Sequence, residues 1–316
     1  MTIMADQPVK TEAGRLSVMI AYFLIYVVWG STYYFIGVAL KGFPPFLLGG
    51  LRFGAAGILL LAYSRIRGES IFTGSLIRKS ATSGIILLFI DMAVIMLAQQ
   101  YLSSSLVAIL ASSTAIWIMA LDVPRWSINF KIPAVIIGIT AGFLGVVLLF
   151  LEQLLGDQGK THHEYGVALL IGGCISWALG TLYAKYKSCA EENVNNFAGA
   201  AWQMLFAGSM FWLCSFSIGE SHFSERIAIP TTAWFSLIYL ITFGSILAYT
   251  SYIWLLKIRP ATEVGTHAYV NPLVAVVLGA TLGEEEISSI QLIGLFIILL
   301  SIFFIRKTPN HQPQNI

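Results

Sequence analysis

Along the chain, apolar runs of about 20 residues, the length a helix needs to cross a bilayer, alternate with short polar breaks. The runs fall near residues 18–39, 44–63, 81–101, 103–122 and 133–151, and then near 166–186, 198–218, 233–256, 262–283 and 287–305. The expectation is an all-α integral membrane protein of ten transmembrane helices. A polar loop at 152–165 divides the chain almost in half. The expected layout is a tail at 1–17, a first five-helix repeat at 18–151, an outside loop at 152–165, a second repeat at 166–305 and a tail at 306–316. The first run follows Lys10 and Arg15 and lacks a small-residue cleavage motif, so it reads as a retained helix and not as a signal peptide.

Composition narrows the class. Of 316 residues, 57% are hydrophobic and 11% charged, against about 25% charged in soluble domains. Ten spans use roughly 200 residues, which leaves no room for a second domain. A formal net charge of +2 carries no bulk field for nucleic acid. The position of the basic residues says more than their sum. With a cytoplasmic amino terminus, Lys10, Arg15, Arg65, Arg67, Arg78, Lys79, Arg125, Lys131, Lys185, Lys187, Lys257, Arg259, Arg306 and Lys307 fall inside, and only Lys41, Lys160 and Arg226 fall outside. This positive-inside bias places both termini in the cytoplasm and supports an even number of crossings.

Five helices per half is an odd number, so the second half enters the membrane in the opposite sense to the first. Trp29-Gly30-Ser31-Thr32-Tyr33 is echoed by Trp177-Ala178-Leu179-Gly180-Thr181-Leu182-Tyr183, and Leu51-Arg52-Phe53 by Trp202-Gln203-Met204. Inverted repeats of this kind are common in secondary transporters, which bind solute near the midplane between the halves. The motif Trp29-Gly30-Ser31-Thr32-Tyr33, the arginine of Leu51-Arg52-Phe53, the run from Ala268-Tyr269-Val270-Asn271-Pro272 to Val276, and Leu282-Gly283-Glu284-Glu285 together resemble the EamA family of the drug/metabolite transporter superfamily. Gln291 and Gly294 fit the same pattern. The resemblance covers essentially the whole chain. It implies two inverted repeats around a central cavity and export of amino acids, other metabolites or amphipathic drugs across the cytoplasmic (inner) membrane. One departure is visible: many members carry a glutamate after helix 4, where this chain has Asp122 and no glutamate before Pro133.

Within the spans, charged and polar residues are the candidates for solute binding or coupling. Asp91 on helix 3 must face protein or water, since a lipid-facing carboxylate costs roughly 2.5 to 3.5 kcal/mol. Arg52 on helix 2 lies at similar depth, so an Arg52–Asp91 ion pair is expected, which protonation of Asp91 would release to a substrate carboxylate. On helix 9, Glu263, His267 and Asn271 are spaced four apart and share a face, next to Pro272. His267 suits titration during transport, whereas Glu263 suits a salt bridge with Lys257 or Arg259. Trp29, Tyr33, Trp177, Thr181 and Gln203, with Tyr249 and Tyr252, would line an aromatic cavity for apolar or cationic solutes. Glu284 and Glu285 would act at a helix end or gate.

No Walker motif or HExxH site is present, and His162-His163-Glu164 stands alone in a loop. Cys174, Cys189 and Cys214 show no paired spacing and read as packing residues. No cofactor, metal or nucleic-acid partner is expected. The expected partners are a small-molecule substrate and membrane lipid, in a monomer or weak dimer, with proton coupling and simple facilitated diffusion both open. The alternatives are an importer or exchanger of a larger metabolite such as a nucleotide derivative, and an intramembrane enzyme.

Overall fold

The computed structural model describes residues 14–102, 104–126, 130–156, 163–188, 196–220, 229–282 and 288–306. Among these the regular structure is helical throughout and forms ten rods. They are α1 (Arg15–Ala39), α2 (Pro45–Ile66), α3 (Gly74–Ala98), α4 (Ser104–Ala111 and Thr114–Leu121), α5 (Pro133–Gly156), α6 (His163–Tyr183, continued by Ala184–Ser188), α7 (Asn196–Ser217), α8 (Thr231–Ile258), α9 (Ala261–Leu282) and α10 (Ser289–Arg306). Seven of them, all but α4, α5 and α10, are long and apolar enough over described residues to cross a membrane.

Local chemistry explains the helix ends. Pro45 occupies the first turn of α2, where its fixed φ suits a helix and its missing N–H is no loss. Glu220, just past α7, accepts the free Leu47 N–H of that turn at 2.8 Å. Gly68, at φ +76°, follows the other end of α2 in the left-handed region that glycine enters without strain. α3 starts well before its apolar run. Its first turns are amphipathic, with Leu76, Ser80 and Ser83 buried and Arg78 exposed, so an apolar-run reading passes over them.

The packing has the two-fold logic of a repeated unit. The most extensive helix contacts join α2 to α7 and α5 to α10, each a helix against its equivalent in the other half. α1 packs on α9 as α6 packs on α4, and α1 packs on α8 as α6 packs on α3. Glycine makes the first pairing close. A Cβ on Gly208 of α7 would stand 2.7 Å from the Gly54 nitrogen of α2, so at that level backbone meets backbone. The outer faces remain apolar: Ile58 on α2, Leu213 on α7, Phe235 on α8 and Phe296 on α10 are each at least 60% exposed, a surface for lipid tails.

Besides Ala184–Ser188 at the end of α6, three helices widen into π-helical turns beside the core: Leu24–Val28 in α1, Gly84–Ile90 in α3 and Leu240–Tyr249 in α8. A neighbouring helix donates to a carbonyl in each. Ser176 of α6 donates to Ile86 O at 2.7 Å, and Trp29 Nε1 of α1 donates to Gly244 O at 2.9 Å. Asn271 of α9, with its amide nitrogen turned inward, donates to Ile25 O and Tyr26 O at 3.0 Å each. Such turns recur at functional sites because they shift side chains off the regular helical face.

Candidate functional site

A cavity of about 60 Å³ lies where α1, α2, α3, α4, α6, α8 and α9 converge. Of the residues singled out from sequence, Trp29, Tyr33, Arg52, Asp91, Trp177, Tyr249 and Asn271 line it. They come from six helices in both halves of the chain. Trp29 stands at one wall, with ring centroids 5.4 Å from Trp177, 5.0 Å from Tyr252 and 5.1 Å from His267. Ring packing of this kind adds to the apolar burial at that wall.

Arg52 and Asp91 both line the cavity, but no ion pair joins them, contrary to expectation. Similar depth brought them to one level, whereas the side chain's direction around the helix decided the partner. Arg52 turns to α8, where its Nε donates to Ser245 Oγ at 2.9 Å. Its guanidinium carbon lies 4.8 Å from the centre of the Phe53 ring, and Nη1 is 3.9 Å from the Met92 sulfur. Asp91 is buried at 5% exposure. Its carboxylate has no hydrogen bond or ion pair within the chain among the described residues, although Tyr33 and Cys174 lie within its electrostatic reach. Among its described lining residues the cavity thus presents one basic and one acidic side chain that are not paired with each other.

The other candidates sit elsewhere. Thr181 is fully buried and shares a hydrogen bond with Tyr252 OH. Gln203 Oε1 accepts from Tyr249 OH, which ties α7 to α8 behind the cavity wall. His267 is packed against the rings of Trp29 and Tyr252, and its Nδ1 bonds Val264 O at 2.9 Å. None of the three lines the cavity. Glu263 accepts from Tyr22 OH at 2.9 Å and makes no salt bridge with Lys257 or Arg259. Its short helix is turned toward α1, so the hydroxyl of α1 reaches it first. The stripe Glu263, His267 and Asn271 does share one face, and that face looks at α1. Glu284 and Glu285 lie outside the described residues.

Thr32, Ser245, Thr114 and Met92 also belong to the lining, and none was singled out as a site residue from sequence. Ser245, next to Gly244 in the π-helical part of α8, is the most consequential because it orients Arg52. A small polar residue beside a glycine in an apolar run is the one signal that pointed to it.

A pseudo-symmetric helical membrane protein with a largely apolar cavity between its halves, set with a few polar groups, has the architecture of a membrane carrier. The EamA-like transporter family model matches residues 16–151 and again 164–307, and the chain belongs to that family. YedA of Escherichia coli (strain K12), named an inner membrane transporter, is 32% identical over 288 residues, with 90% of this chain and 89% of the relative covered. A Salmonella typhimurium protein named "Probable amino-acid metabolite efflux pump" is 26% identical, with 89% and 91% covered. One crystal structure shares the fold at a TM-score of 0.69 and 18% identity, covering 92% of this chain and 96% of the other. The family and these names describe membrane transporters and not enzymes.

Proposed function

We propose that this protein is a secondary transporter that exports small metabolites, amino acids or related compounds among them, across the cytoplasmic membrane by alternating access. The distribution of lysine and arginine supports an orientation with both termini in the cytoplasm. The observation that carries the reading is the cavity shared by both halves, with Arg52 and Asp91 facing it unpaired. Buried charges without partners are costly unless a ligand or ion completes them, and carriers of this architecture bind solute where the repeats meet. The Salmonella relative's name supports efflux and the amino-acid class.

Asp91 is the group that exchanges protons, because its carboxylate faces the cavity whereas His267 is enclosed by rings. Proton and solute then compete at one carboxylate, which couples their opposite movements. A nucleotide-type solute fits less well, since Arg52 is the one basic residue among the described residues of the lining and each phosphate calls for more. The carrier works as a monomer, because one chain supplies both halves of the cavity.

The test is solute counterflow in proteoliposomes, with wild type, Asp91→Asn and empty liposomes side by side. Saturable counterflow in wild type that an imposed proton gradient accelerates, with the acceleration lost in Asp91→Asn, is the expected result. Wild type indistinguishable from empty liposomes for every solute class would overturn the transport reading.

A further inference from the structure

We propose that the turn between α2 and α3 binds anionic phospholipid, with the headgroup phosphate on Arg65 and Arg67 and the acyl chains against Ile66 and Phe72. Only the choice of leaflet, the cytoplasmic one, rests on the orientation proposed above. The α7–α8 turn shows at what depth this turn stands. Matching Arg52 with Gln203 lays Gly68-Glu69 on Gly219-Glu220, and both glycines are left-handed, at φ +76° and +77°. Inverted repeats set two such equivalent turns at opposite membrane faces. The same match sets Arg65 opposite Phe216 and Arg67 opposite Ile218. Phe216 and Ile218, in and just past the last turn of α7, are each more than 60% exposed. An exposed apolar pair at the end of a span belongs at the boundary of headgroups and chains. At that depth the α2–α3 turn carries guanidinium groups instead.

The turn is held in place from below. Trp202 Nε1 of α7 donates to Ile71 O at 2.7 Å, and Ile71 packs with Leu76 and Ala198. Phe72 meets the Trp202 ring at 5.7 Å between centroids, yet it is 70% exposed, and Ile66 is 85% exposed. The Arg67 guanidinium lies 5.8 Å from the centre of the Tyr63 ring. Arg78, in the first turns of α3, adds a third exposed guanidinium. Among the described residues, no carboxylate lies within 4.0 Å of these three groups. A guanidinium takes a phosphate through two parallel hydrogen bonds. A zwitterionic headgroup would bring its own ammonium against these cations, whereas an anionic one brings none, so net charge selects the lipid. Ile66 and Phe72 gain from acyl chains, which a soluble phosphate lacks.

The experiment is native mass spectrometry of the full chain in detergent, titrated with dioleoyl phosphatidylglycerol or dioleoyl phosphatidylcholine. Phosphatidylglycerol should bind at least fivefold tighter. Arg65→Gln with Arg67→Gln should cut that preference below twofold, while Lys187→Gln, at the exposed end of α6, should leave it unchanged. Phe216→Arg with Ile218→Arg should create a second site, seen as one further tightly bound phosphatidylglycerol. Equal binding of the two lipids overturns the proposal, as does a preference that survives the arginine variant or falls equally in Lys187→Gln. Displacement of the lipid by glycerol 3-phosphate would make this a site for soluble phosphates and overturn it too. If the arginine variant does not fold, the exposed Phe216 and Ile218 pair decides, and no added lipid there overturns the proposal. Binding is read without transport, so failure of this site and failure of counterflow are separate results.

Discussion

Two seams of the molecule occupy equivalent places and differ in chemistry. Along α1–α9, Tyr22 OH donates to Glu263 at 2.9 Å, Tyr26 shares a hydrogen bond with Thr266 at 2.7 Å, and Asn271 ties two carbonyls of the α1 π-helical turn. Along α6–α4, the Cys174 thiol lies 3.7 Å from Leu110 O and 3.8 Å from Ala111 O. Aligning Trp29 with Trp177 and Pro272 with Ala115 sets Tyr22 opposite Leu170, Glu263 opposite Leu106 and Asn271 opposite Thr114. Symmetry therefore shapes the backbone, while the side chains make α1–α9 polar along its length and leave the middle of α6–α4 the more apolar, its strong bond being Tyr186–Asp122 at one end. In a carrier whose halves exchange roles, a difference in seam strength biases the two states, because the favoured state is the one whose seam is tighter.

The largest effect is expected from Asn271→Leu. The change removes both donors to the α1 turn and leaves Ile25 O and Tyr26 O without that partner inside the core. At about 1 to 3 kcal/mol per group left without its bond, the loss should reach about 3 kcal/mol. Thermal melting in detergent without solute should show it as a drop of several degrees, and a variant melting with wild type would refute the α1–α9 tie.

Tyr186→Phe comes next. At the end of α6, Tyr186 OH donates at 2.6 Å to Asp122, which is fully buried. A hydrogen bond to a charged group is worth about 1.5 to 3 kcal/mol. Burial raises the Asp122 carboxyl above its usual range, while Tyr186, then Arg125 and Lys185, pull it back down. A carboxyl raised on folding stabilises the fold below its unfolded pKa, and that contribution is lost as pH rises through the folded value. Removing Tyr186 raises the carboxyl further. The gap in melting temperature between wild type and Tyr186→Phe should therefore widen from acidic to neutral pH, and a constant gap would exclude this account.

Legibility from sequence divides along the same line. Hydropathy located all ten helices because a span's length is set by the bilayer, and the halves were visible through charge sorting and the tryptophan echo. Trp29, Tyr33, Arg52, Asp91, Trp177 and Asn271 stood out because each is costly or unusual within an apolar helix. Ser245 did not, since a hydroxyl in a helix commonly bonds back to its own turn, as Ser236 does to Thr232 O at 2.9 Å. The π-helical turns were hidden as well. They alter which residues share a face, and a regular 3.6-residue period misjudges azimuth where they occur, as in α8 beside Arg52. Equal depth suggested an Arg52–Asp91 pair for that reason, although the azimuth sends Arg52 to Ser245.

Tyr22→Phe isolates one bond of the polar seam. Tyr22 is buried and Glu263 half-buried, so about 1 kcal/mol is at stake. If that seam closes the cytoplasmic side, the variant should open inward more often, by roughly fivefold. Labelling of a cysteine placed at Ala268 by a membrane-impermeant maleimide, in a chain with the three native cysteines replaced, should accelerate by that factor from the cytoplasmic side. Unchanged labelling would mean that the bond persists in both states and carries no bias.

The smallest effect belongs to Cys174→Ala, and it is the sharpest control on the comparison. A thiol is a weak donor, and distances of 3.7 and 3.8 Å to two carbonyls are long even for sulfur. Both carbonyls belong to α4 at its break after Ala111, where neither depends on Cys174 for its geometry. The change therefore forfeits packing of one sulfur atom, about 1 kcal/mol or less. Melting should fall by a degree or two, and labelling at Ala268 should stay at the wild-type rate because the α1–α9 bonds are untouched. A loss as large as that of Asn271→Leu would mean that the apolar seam is as strongly held as the polar one. The bias between states would then have to arise outside both seams.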